Sequence, residues 1–263
     1  MKKHNKTIQN NSTLYLGDCL EVMKIIPDKS IDMILCDLPY GTTACKWDVI
    51  IPFEPLWEQY NRIIKDKCAI VLFGSEPFTS IMITSNIDGY KYNWDWNKHI
   101  PSGISYARWR PMQQTEQIAI FSNTGNKINY YPQMIKRDIS IKSGGTNPSE
   151  TAPIRYKDKN FKKTYDYKNP ITLIEFTKIR KGSLHPTQKP VALLEYLIKT
   201  YTLENEVVLD NCMGSGSTKI ACINTNRKFI GIEKDEKYFN IACNRKPGDK
   251  KQIEKKNIGF NFD

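Results

Sequence analysis

The chain has 263 residues, 40% of them hydrophobic, which suffices for one α/β domain with a substantial core and an inserted segment. Its formal net charge of +11 at pH 7 predicts an anionic partner, and the lack of any run of about eighteen apolar residues argues against a membrane span. A polar start without signal-peptide character and seven scattered cysteines with no Cys-x-x-Cys pair predict a cytoplasmic protein without structural zinc.

The first predicted elements are a strand at 13–16, a helix at 19–26 and an apolar strand at 31–36, which Asp37-Leu38-Pro39-Tyr40 follows directly. In open α/β sheets, ligands bind beyond the carboxyl ends of the strands. A carboxylate and a main-chain carbonyl that only accept hydrogen bonds, beside a ring that can stack, suit a flat base with an exocyclic amine. Taken alone, the tetrapeptide is also typical of an ordinary loop.

The next elements are predicted as a helix at 54–65, a strand at 68–73, a short helix at 77–85 and strands at 90–96 and 116–121. The last two strands are expected to pair as an antiparallel hairpin at a sheet edge. Trp94, Trp96 and Trp109 are expected in the core or as loop anchors.

Residues 123–184 carry much of the positive charge, with 13 Lys and Arg against 5 Asp and Glu. Tyrosines and a phenylalanine are interleaved with these charges, and no sustained helical period appears. A solvated loop is one interpretation. Contact with nucleic-acid phosphates and bases is the one that the position of the segment favours.

A second constellation begins at His185-Pro186-Thr187-Gln188-Lys189-Pro190. Its predicted elements are a helix at 190–202, a strand at 206–209, a helix at 217–225, a strand at 228–232 and a helix at 235–244. Gly214 and Gly216 allow a tight turn into the helix and close approach of a ligand. An acid after the following strand, Glu233, can accept hydrogen bonds from ribose hydroxyls.

Together these motifs resemble those of β-type amino-group DNA methyltransferases that use S-adenosylmethionine. Asp37–Tyr40 is similar to the family's catalytic Asp-Pro-Pro-Tyr, Asp210–Gly216 to its cofactor loop, and the catalytic motif precedes the cofactor motif, as in the permuted members. The resemblance covers roughly residues 13–122 and 185–244. Leu38 in place of a proline and Cys212 in place of a phenylalanine depart from the usual pattern.

The resemblance implies a doubly wound, mostly parallel α/β sheet of the S-adenosylmethionine-dependent methyltransferase type, and the alternation of strands and helices predicts the same sheet. We expect a catalytic half at 1–122, a target-recognition insertion with DNA-binding residues at 123–184, and a cofactor-binding half with a basic tail at 185–263.

The resemblance also implies roles for individual residues. The catalytic group is Asp37, Leu38, Pro39 and Tyr40. The cofactor group is Asp18 at the adenine ring, Lys189 at the cofactor carboxylate, and Thr187, Asp210, Asn211, Gly214, Ser215, Gly216, Ser217, Thr218 and Glu233. The expected DNA contacts are Lys46, Trp47, Lys136, Arg137, Arg155 and Lys157, and no metal is expected.

The predicted activity is methyl transfer to the N6 amine of an adenine flipped out of double-stranded DNA. Three alternatives stay open: an N4-cytosine methyltransferase, a catalytically silent DNA-binding module, and a nucleotide-dependent oxidoreductase built on the Gly-x-Gly turn. Asp37 favours adenine, because the cytosine enzymes usually carry serine there. The absence of a Pro-Cys nucleophile argues against cytosine C5 chemistry. A homodimer and a cognate restriction endonuclease remain open as partners.

Overall fold

The computed structural model describes residues 5–9, 11–41, 49–125, 127–143, 163–179, 184 and 188–248. The chain divides into two compact units, one of Met1–Tyr131 with Thr172–Asp263 and one of Pro132–Ile171. The second unit falls inside the insertion predicted at 123–184, whose bounds remain a prediction.

The described strands are β1 Asn5–Gln9, β2 Ser12–Leu16, β3 Ile31–Cys36, β4 Ile64–Gly74, β5 Tyr90–Ser102, β6 Gln113–Phe121, β7 Ile135–Ser143, β8 Lys163–Lys168, β9 Leu173–Glu175, β10 Val207–Asp210 and β11 Lys228–Glu233. The described helices are α1 Cys19–Met23, α2 Phe53–Ile63, α3 Phe78–Thr84, α4 Val191–Tyr201, α5 Ser217–Asn224 and α6 Glu236–Asn244. Within these ranges no helix has both the length and the apolar character that a membrane crossing requires.

The larger unit is built on a nine-stranded sheet in the order β1-β2-β11-β10-β3-β4-β6-β5-β9. Strands β2, β11, β10, β3 and β4 run parallel, whereas β6 is antiparallel to both of its neighbours. Side chains alternate across the sheet, so Met33 and Leu35 pack with α4–α6 in one hydrophobic cluster, and Ile34 and Cys36 pack with α1–α3 in another. The predicted doubly wound, mostly parallel sheet is therefore confirmed.

Two helices of the larger unit begin at aspartates whose side chains cap them. The Asp18 carboxylate accepts from the Leu20 N–H at 3.0 Å at the start of α1, and the Asp235 carboxylate accepts from the Lys237 N–H at 2.9 Å at the start of α6. Such caps satisfy main-chain donors that have no partner within the helix. They also fix the loops that follow β2 and β11, which lie at the carboxyl edge of the sheet.

The expected antiparallel pairing of β5 with β6 is confirmed, but the expected position at the sheet edge is wrong. A short strand, β9, adds to the outer side of β5 with Asp95 opposite Leu173. The sequence did not predict β9, and β1 was also missed. One is only three residues long and the other is mostly polar, so neither carries the apolar run that marks a strand.

The second unit is a two-stranded antiparallel sheet of β7 and β8, with Ile135 opposite Lys168 and a register shift between Lys136 and Ile141. The Arg137 side chain donates to the Tyr167 carbonyl at 3.3 Å. Lys136 and Arg137, both predicted to contact DNA, therefore lie on a strand that the sequence did not predict.

Candidate active site

The catalytic tetrapeptide begins one residue after β3, at the carboxyl edge of the sheet. The Tyr40 hydroxyl donates to Asp37 Oδ1 at 2.8 Å and also reaches Glu116 Oε1 at 3.3 Å. The Tyr40 ring stacks on Phe78 with ring centroids 4.8 Å apart. Leu38 is buried in the core beneath the turn. Packing and hydrogen bonds thus hold the Asp37 carboxylate in place before any substrate arrives.

A buried ion cluster surrounds Asp37. The Lys189 ammonium lies 2.6 Å from Asp37 Oδ2 and 2.9 Å from Glu116 Oε1, and the Lys98 ammonium lies 3.7 Å from Glu116 Oε2. The two negative charges of the carboxylates equal the two positive charges of the ammonium groups. Buried charges that are paired in this way avoid a large free-energy cost of desolvation. Lys189 also lies 4.9 Å from the centroid of the Phe73 ring.

The pKa values of the cluster are set by burial and by the neighbouring charges. Burial raises the pKa of the Asp37 carboxyl, and the Lys189 ammonium opposes that rise. Burial acts to lower the pKa of Lys189, but the charges of Asp37 and Glu116 outweigh it, so the net shift is upward and the ammonium stays charged. Burial lowers the pKa of Lys98. Asp37 therefore lies against the charged Lys189 ammonium, which can pair with either Asp37 or Glu116.

The cofactor loop starts at Asp210, the last residue of β10. The Asp210 carboxylate accepts from the Thr218 hydroxyl at 2.6 Å and from the Cys212 N–H at 3.1 Å. Burial raises the pKa of Asp210 to about 7, although both hydrogen bonds act in the opposite direction. A buried carboxyl poised near neutrality, with one side open to the cleft, is suited to receive a cationic group.

Glu233, at the end of β11, ties the loop to the next helix. Its carboxylate accepts from the Gly214 N–H at 2.8 Å and from the Asp235 N–H at 2.8 Å. Burial raises the pKa of Glu233, and these main-chain donors oppose the rise. Each carboxylate oxygen has a second lone pair, so hydroxyl groups of a ligand can still be bound. Asp18 borders the same space and pairs with Lys234 at 3.2 Å.

Arg245 holds the cofactor loop in place by hydrogen bonds to two of its serines. Its guanidinium donates to the Ser215 carbonyl and to the Ser217 hydroxyl, each at 3.0 Å. Gly216 has φ of 75°, and a Cβ there would lie 3.1 Å from the Ala242 Cβ. This glycine is therefore required for the turn and for close packing of α5 against α6, and its role in the approach of a ligand remains a prediction.

One cleft of about 670 Å³ joins the two motifs. Catalytic and cofactor residues predicted from sequence line it, namely Asp18, Asp37, Leu38, Pro39, Tyr40, Lys189, Asp210, Gly214, Ser215, Ser217, Thr218 and Glu233. Its volume suits a nucleoside-sized ligand. The loop is surrounded by three carboxylates, those of Asp18, Asp210 and Glu233. Carboxylates bind hydroxyl and ammonium groups, both of which S-adenosylmethionine has. They would repel the pyrophosphate of a dinucleotide. This charge distribution argues against the oxidoreductase alternative.

Some predicted residues take other positions. The buried Asn211 accepts from the Tyr60 hydroxyl at 2.6 Å, inside the domain and not at the cleft, and Gly216 does not line the cleft either. Lys189 lines the cleft but lies against Asp37, and its contact with a cofactor carboxylate remains a prediction. The predicted sites Thr187, Lys46, Trp47, Arg155 and Lys157 lie outside the residues that the structure describes.

Three functional candidates were missed, namely Glu116, Lys98 and Arg245. Glu116 precedes the buried run of β6, and because β6 is antiparallel to β4, its first residues lie at the catalytic edge. A charged residue at the start of an antiparallel strand was the available signal for Glu116. Arg245, one residue past α6, gave no such signal. Among the described side chains no group of three or more His, Cys, Asp or Glu is placed to hold a metal ion.

A family model described as DNA methylase, for the N6 and N4 enzymes, matches residues 31–244. The chain is 29% identical over 251 residues to the protein named DNA adenine methyltransferase YhdJ of Escherichia coli, with 89% of this chain and 82% of that protein covered.

Two solved structures share the fold. The crystal structure of an M1.HpyAVI–SAM complex superposes with a TM-score of 0.58 at 25% identity, covering 88% of this chain and 98% of the other. The PvuII DNA methyltransferase, described as cytosine-N4-specific, superposes with a TM-score of 0.63 at 17% identity, covering 89% of this chain and 86% of the other. At 17% identity, the similarity to the PvuII enzyme supports the fold only.

Proposed function

Because the chain belongs to the DNA methylase family of N6 and N4 enzymes, we propose that it is a site-specific methyltransferase acting on the N6 amine of adenine in double-stranded DNA. The observation that carries the proposal is the single cleft in which Asp37 and Tyr40 face the loop of Asp210 and Glu233. YhdJ, named as an adenine methyltransferase, and aspartate rather than serine at position 37 support adenine over cytosine.

The cofactor is S-adenosylmethionine, which when bound supplies an electrophilic methyl group on a sulfonium sulfur. The residues placed to hold it are the three carboxylates of the cleft. Asp18 is assigned to the adenine ring, Glu233 to the ribose hydroxyls and Asp210 to the cationic amino-acid end. The roles of Asp18 and Glu233 are those that the family resemblance implies, and each of the three carboxylates retains lone pairs beyond the contacts already made.

Asp37 activates the amine by accepting its hydrogens. The exocyclic nitrogen of adenine is a weak nucleophile because its lone pair is delocalised into the ring. Acceptors at the Asp37 carboxylate and the Leu38 carbonyl favour a pyramidal nitrogen with a localised pair, which forms the new N–C bond as the S–C bond breaks. The proton lost from the methylated nitrogen leaves through Asp37 to water. Positioning and electrostatics supply the acceleration, and no covalent enzyme intermediate is needed.

Lys189 and Tyr40 each contact one oxygen of Asp37, and the second lone pair of each oxygen remains for a hydrogen of the amine. Glu116 lies 2.9 Å from the Lys189 ammonium, so the cation can shift from Asp37 without becoming an unpaired buried charge. Glu116 is also within reach of the Tyr40 hydroxyl. Phe78 covers one face of the Tyr40 ring, and we assign the flipped base to the other face.

The experiment that tests this function is methylation of unmethylated genomic DNA with single-base readout of the modified positions. N6-methyladenine at one recurring sequence is expected with the wild type and none with Asp37→Asn. N4-methylcytosine at a recurring sequence would establish the cytosine alternative instead. Cofactor and DNA binding without any modified base would establish the silent module.

Recognition of the target is assigned to the insertion at 123–184, with Lys136 and Arg137 on β7, and Arg155 and Lys157, as the first candidates for base or phosphate contacts. The proposed compartment is the cytoplasm, and the six described cysteines, all free, agree with a reducing environment. A homodimer and a cognate restriction endonuclease remain predictions.

A further inference from the structure

The connection between β5 and β6 forms a compact projection, the hairpin tip, which comprises residues 103–112. Its sequence is Gly-Ile-Ser-Tyr-Ala-Arg-Trp-Arg-Pro-Met. The flanking strands still pair at its base, where Ser102 lies opposite Gln113. None of the sequence motifs assigned to catalysis, cofactor binding or target recognition includes this segment.

The hairpin tip exposes large apolar side chains. Trp109 is 78% exposed, Ile104 76% and Tyr106 52%. The expectation that Trp109 packs in the core or anchors a loop is therefore wrong, whereas Trp94 and Trp96 are buried as expected. A tryptophan and an isoleucine exposed side by side on one short segment are costly in water, and such clusters mark interaction surfaces.

Main-chain hydrogen bonds fix the shape of the hairpin tip. Gly103 has φ of 90° and opens a 3-10 turn over Ile104–Tyr106. The Trp109 N–H then donates to the Tyr106 carbonyl at 2.9 Å, and the Arg110 guanidinium lies over the Tyr106 ring at 4.9 Å. The backbone that carries Trp109 is thus already ordered, so little main-chain entropy would be lost when the segment binds.

The hairpin tip stands at the catalytic edge of the sheet. Strand β6 is antiparallel to both β4 and β5, so its start and the end of β5 lie at the same edge of the sheet as the carboxyl ends of β3 and β4. Glu116 of β6 touches Tyr40 and Lys189. Gln113 is three residues further out, about 10 Å along an extended strand. A duplex that delivers a base to Tyr40 must therefore pass close to the hairpin tip.

The charge of the hairpin tip is positive. Arg108 and Arg110 flank Trp109, both are exposed, and no acidic residue occurs between Asp95 and Glu116 in the sequence. Arginines beside an aromatic ring are the combination that proteins use to bind phosphates while stacking on an unpaired base.

We propose that the hairpin tip is a second DNA-contacting element, and this inference rests on the proposed function. Trp109 stacks in the duplex at the position that the target base vacates, and Arg108 and Arg110 contact the phosphates on either side. Extrusion of a base leaves its neighbours and its orphaned partner without stacking, and an indole ring replaces part of that lost contact.

The test uses a duplex that carries the target sequence mapped with the wild-type enzyme, in one version fully paired and in another with a mismatch opposite the target adenine. Trp109→Ala should slow methylation of the paired duplex by about tenfold or more, the equivalent of one lost base–aromatic stack. The mismatched duplex should be much less affected, because its target base is already unpaired. Trp109→Phe should recover most of the rate, and cofactor affinity should stay at the wild-type value.

The arginines give a second readout. Arg108→Ala and Arg110→Ala should each weaken binding to every duplex and reduce the slope of log K against log salt by about one. Leu203→Ala and Lys228→Ala serve as matched controls, since both residues are exposed and lie at the opposite, amino edge of the sheet. Neither control should change rate, affinity or salt dependence.

The two proposals fail in different ways. If the wild type methylates no DNA, the proposed function is wrong. If the wild type methylates its site and Trp109→Ala is equally fast on the paired duplex, the hairpin tip does not act in base extrusion. An unchanged DNA rate combined with loss of self-association in Trp109→Ala would reassign the surface to a protein partner and overturn the proposal.

Discussion

The Lys189 ammonium lies 2.6 Å from Asp37 Oδ2, although the two residues are 152 positions apart in the chain. Lys189 precedes α4, and Asp37 follows β3. This buried ion pair favours the ionised form of Asp37 and fixes its position before substrate binds. The contribution of Lys189 to the ionisation of Asp37 can therefore be measured from the pH profile of a Lys189 variant.

Lys189→Met should move the acid limb of the kcat/KM profile to higher pH. Removing the cation takes away an interaction that favours the ionised carboxylate, so the pKa of Asp37, already raised by burial, rises further. Acceptance of an amine hydrogen and uptake of the released proton both favour the ionised carboxylate, and activity is therefore lost at a higher pH as the solution is acidified. Lys189→Arg keeps the charge and should leave the acid limb near its wild-type position. A Lys189→Met profile that superposes on the wild type would rule out this electrostatic role.

Asp210 should release a proton when the cofactor binds. Burial raises the pKa of this carboxyl to about 7, so a fraction of the molecules carries the proton near neutral pH. A cationic group bound at the carboxylate lowers the pKa, and cofactor affinity should accordingly rise as the pH is raised through 7.

The measurement is calorimetry in two buffers that differ in ionisation heat. The wild type should release more protons than Asp210→Asn at pH 7. The comparison with the variant removes any proton exchange by the cofactor itself. Equal proton release by the two proteins would show that Asp210 does not meet the cation.

Glu233→Ala should weaken cofactor binding by about 1–3 kcal/mol, because bound hydroxyls lose their acceptor and the Gly214 N–H loses its partner. Glu236→Ala, three residues further on, is the control, since the side chain at that position is exposed. Binding is measured by calorimetry without DNA. A Glu233→Ala affinity equal to that of the control would remove the residue from the cofactor site.

The insertion at 123–184 should carry target specificity. Transplanting it into a related enzyme of known target, followed by single-base mapping of methylated adenines, should change the sequence that is methylated. Individual substitutions at Lys136 and Arg137 should separate base contacts, which alter the target at about 1–3 kcal/mol each, from phosphate contacts, which weaken all DNA equally. An active chimera that keeps its host's target would show that the insertion does not determine specificity. The loop around Trp47 would then be the next segment to test.

The catalytic and cofactor motifs could be predicted from sequence because both depend on local signals. An apolar run defines each strand, and the polar residues of the site are the last residue of the strand, at Asp210 and Glu233, or the residue directly after it, at Asp37. Parallel strands then bring these residues to one edge whatever the length of the intervening chain. For the same reason the central strand at 31–36 was predicted with its observed bounds.

The partners of those residues could not be predicted, since they depend on pairing between distant segments. Glu116 reaches Tyr40 only because β6 runs antiparallel to β4. Asn211 resembled a cofactor ligand, but its side-chain oxygen accepts a hydrogen bond from the Tyr60 hydroxyl, 151 positions away, inside the core. Trp109 looked like a core residue because tryptophan usually is, and its exposure follows from the tight turns of the hairpin tip.

The role of Asp37 is tested most directly by measuring single-turnover methyl transfer by Asp37→Asn on a duplex carrying the mapped target. Asparagine keeps the shape of the side chain, but its amide nitrogen cannot accept a hydrogen bond, so one acceptor for the amine is lost. The rate should fall by about 100-fold or more, with cofactor and DNA affinities close to the wild type, because the interaction strengthens in the transition state. A single-turnover rate near that of the wild type would contradict the assignment of Asp37 as the group that activates the amine.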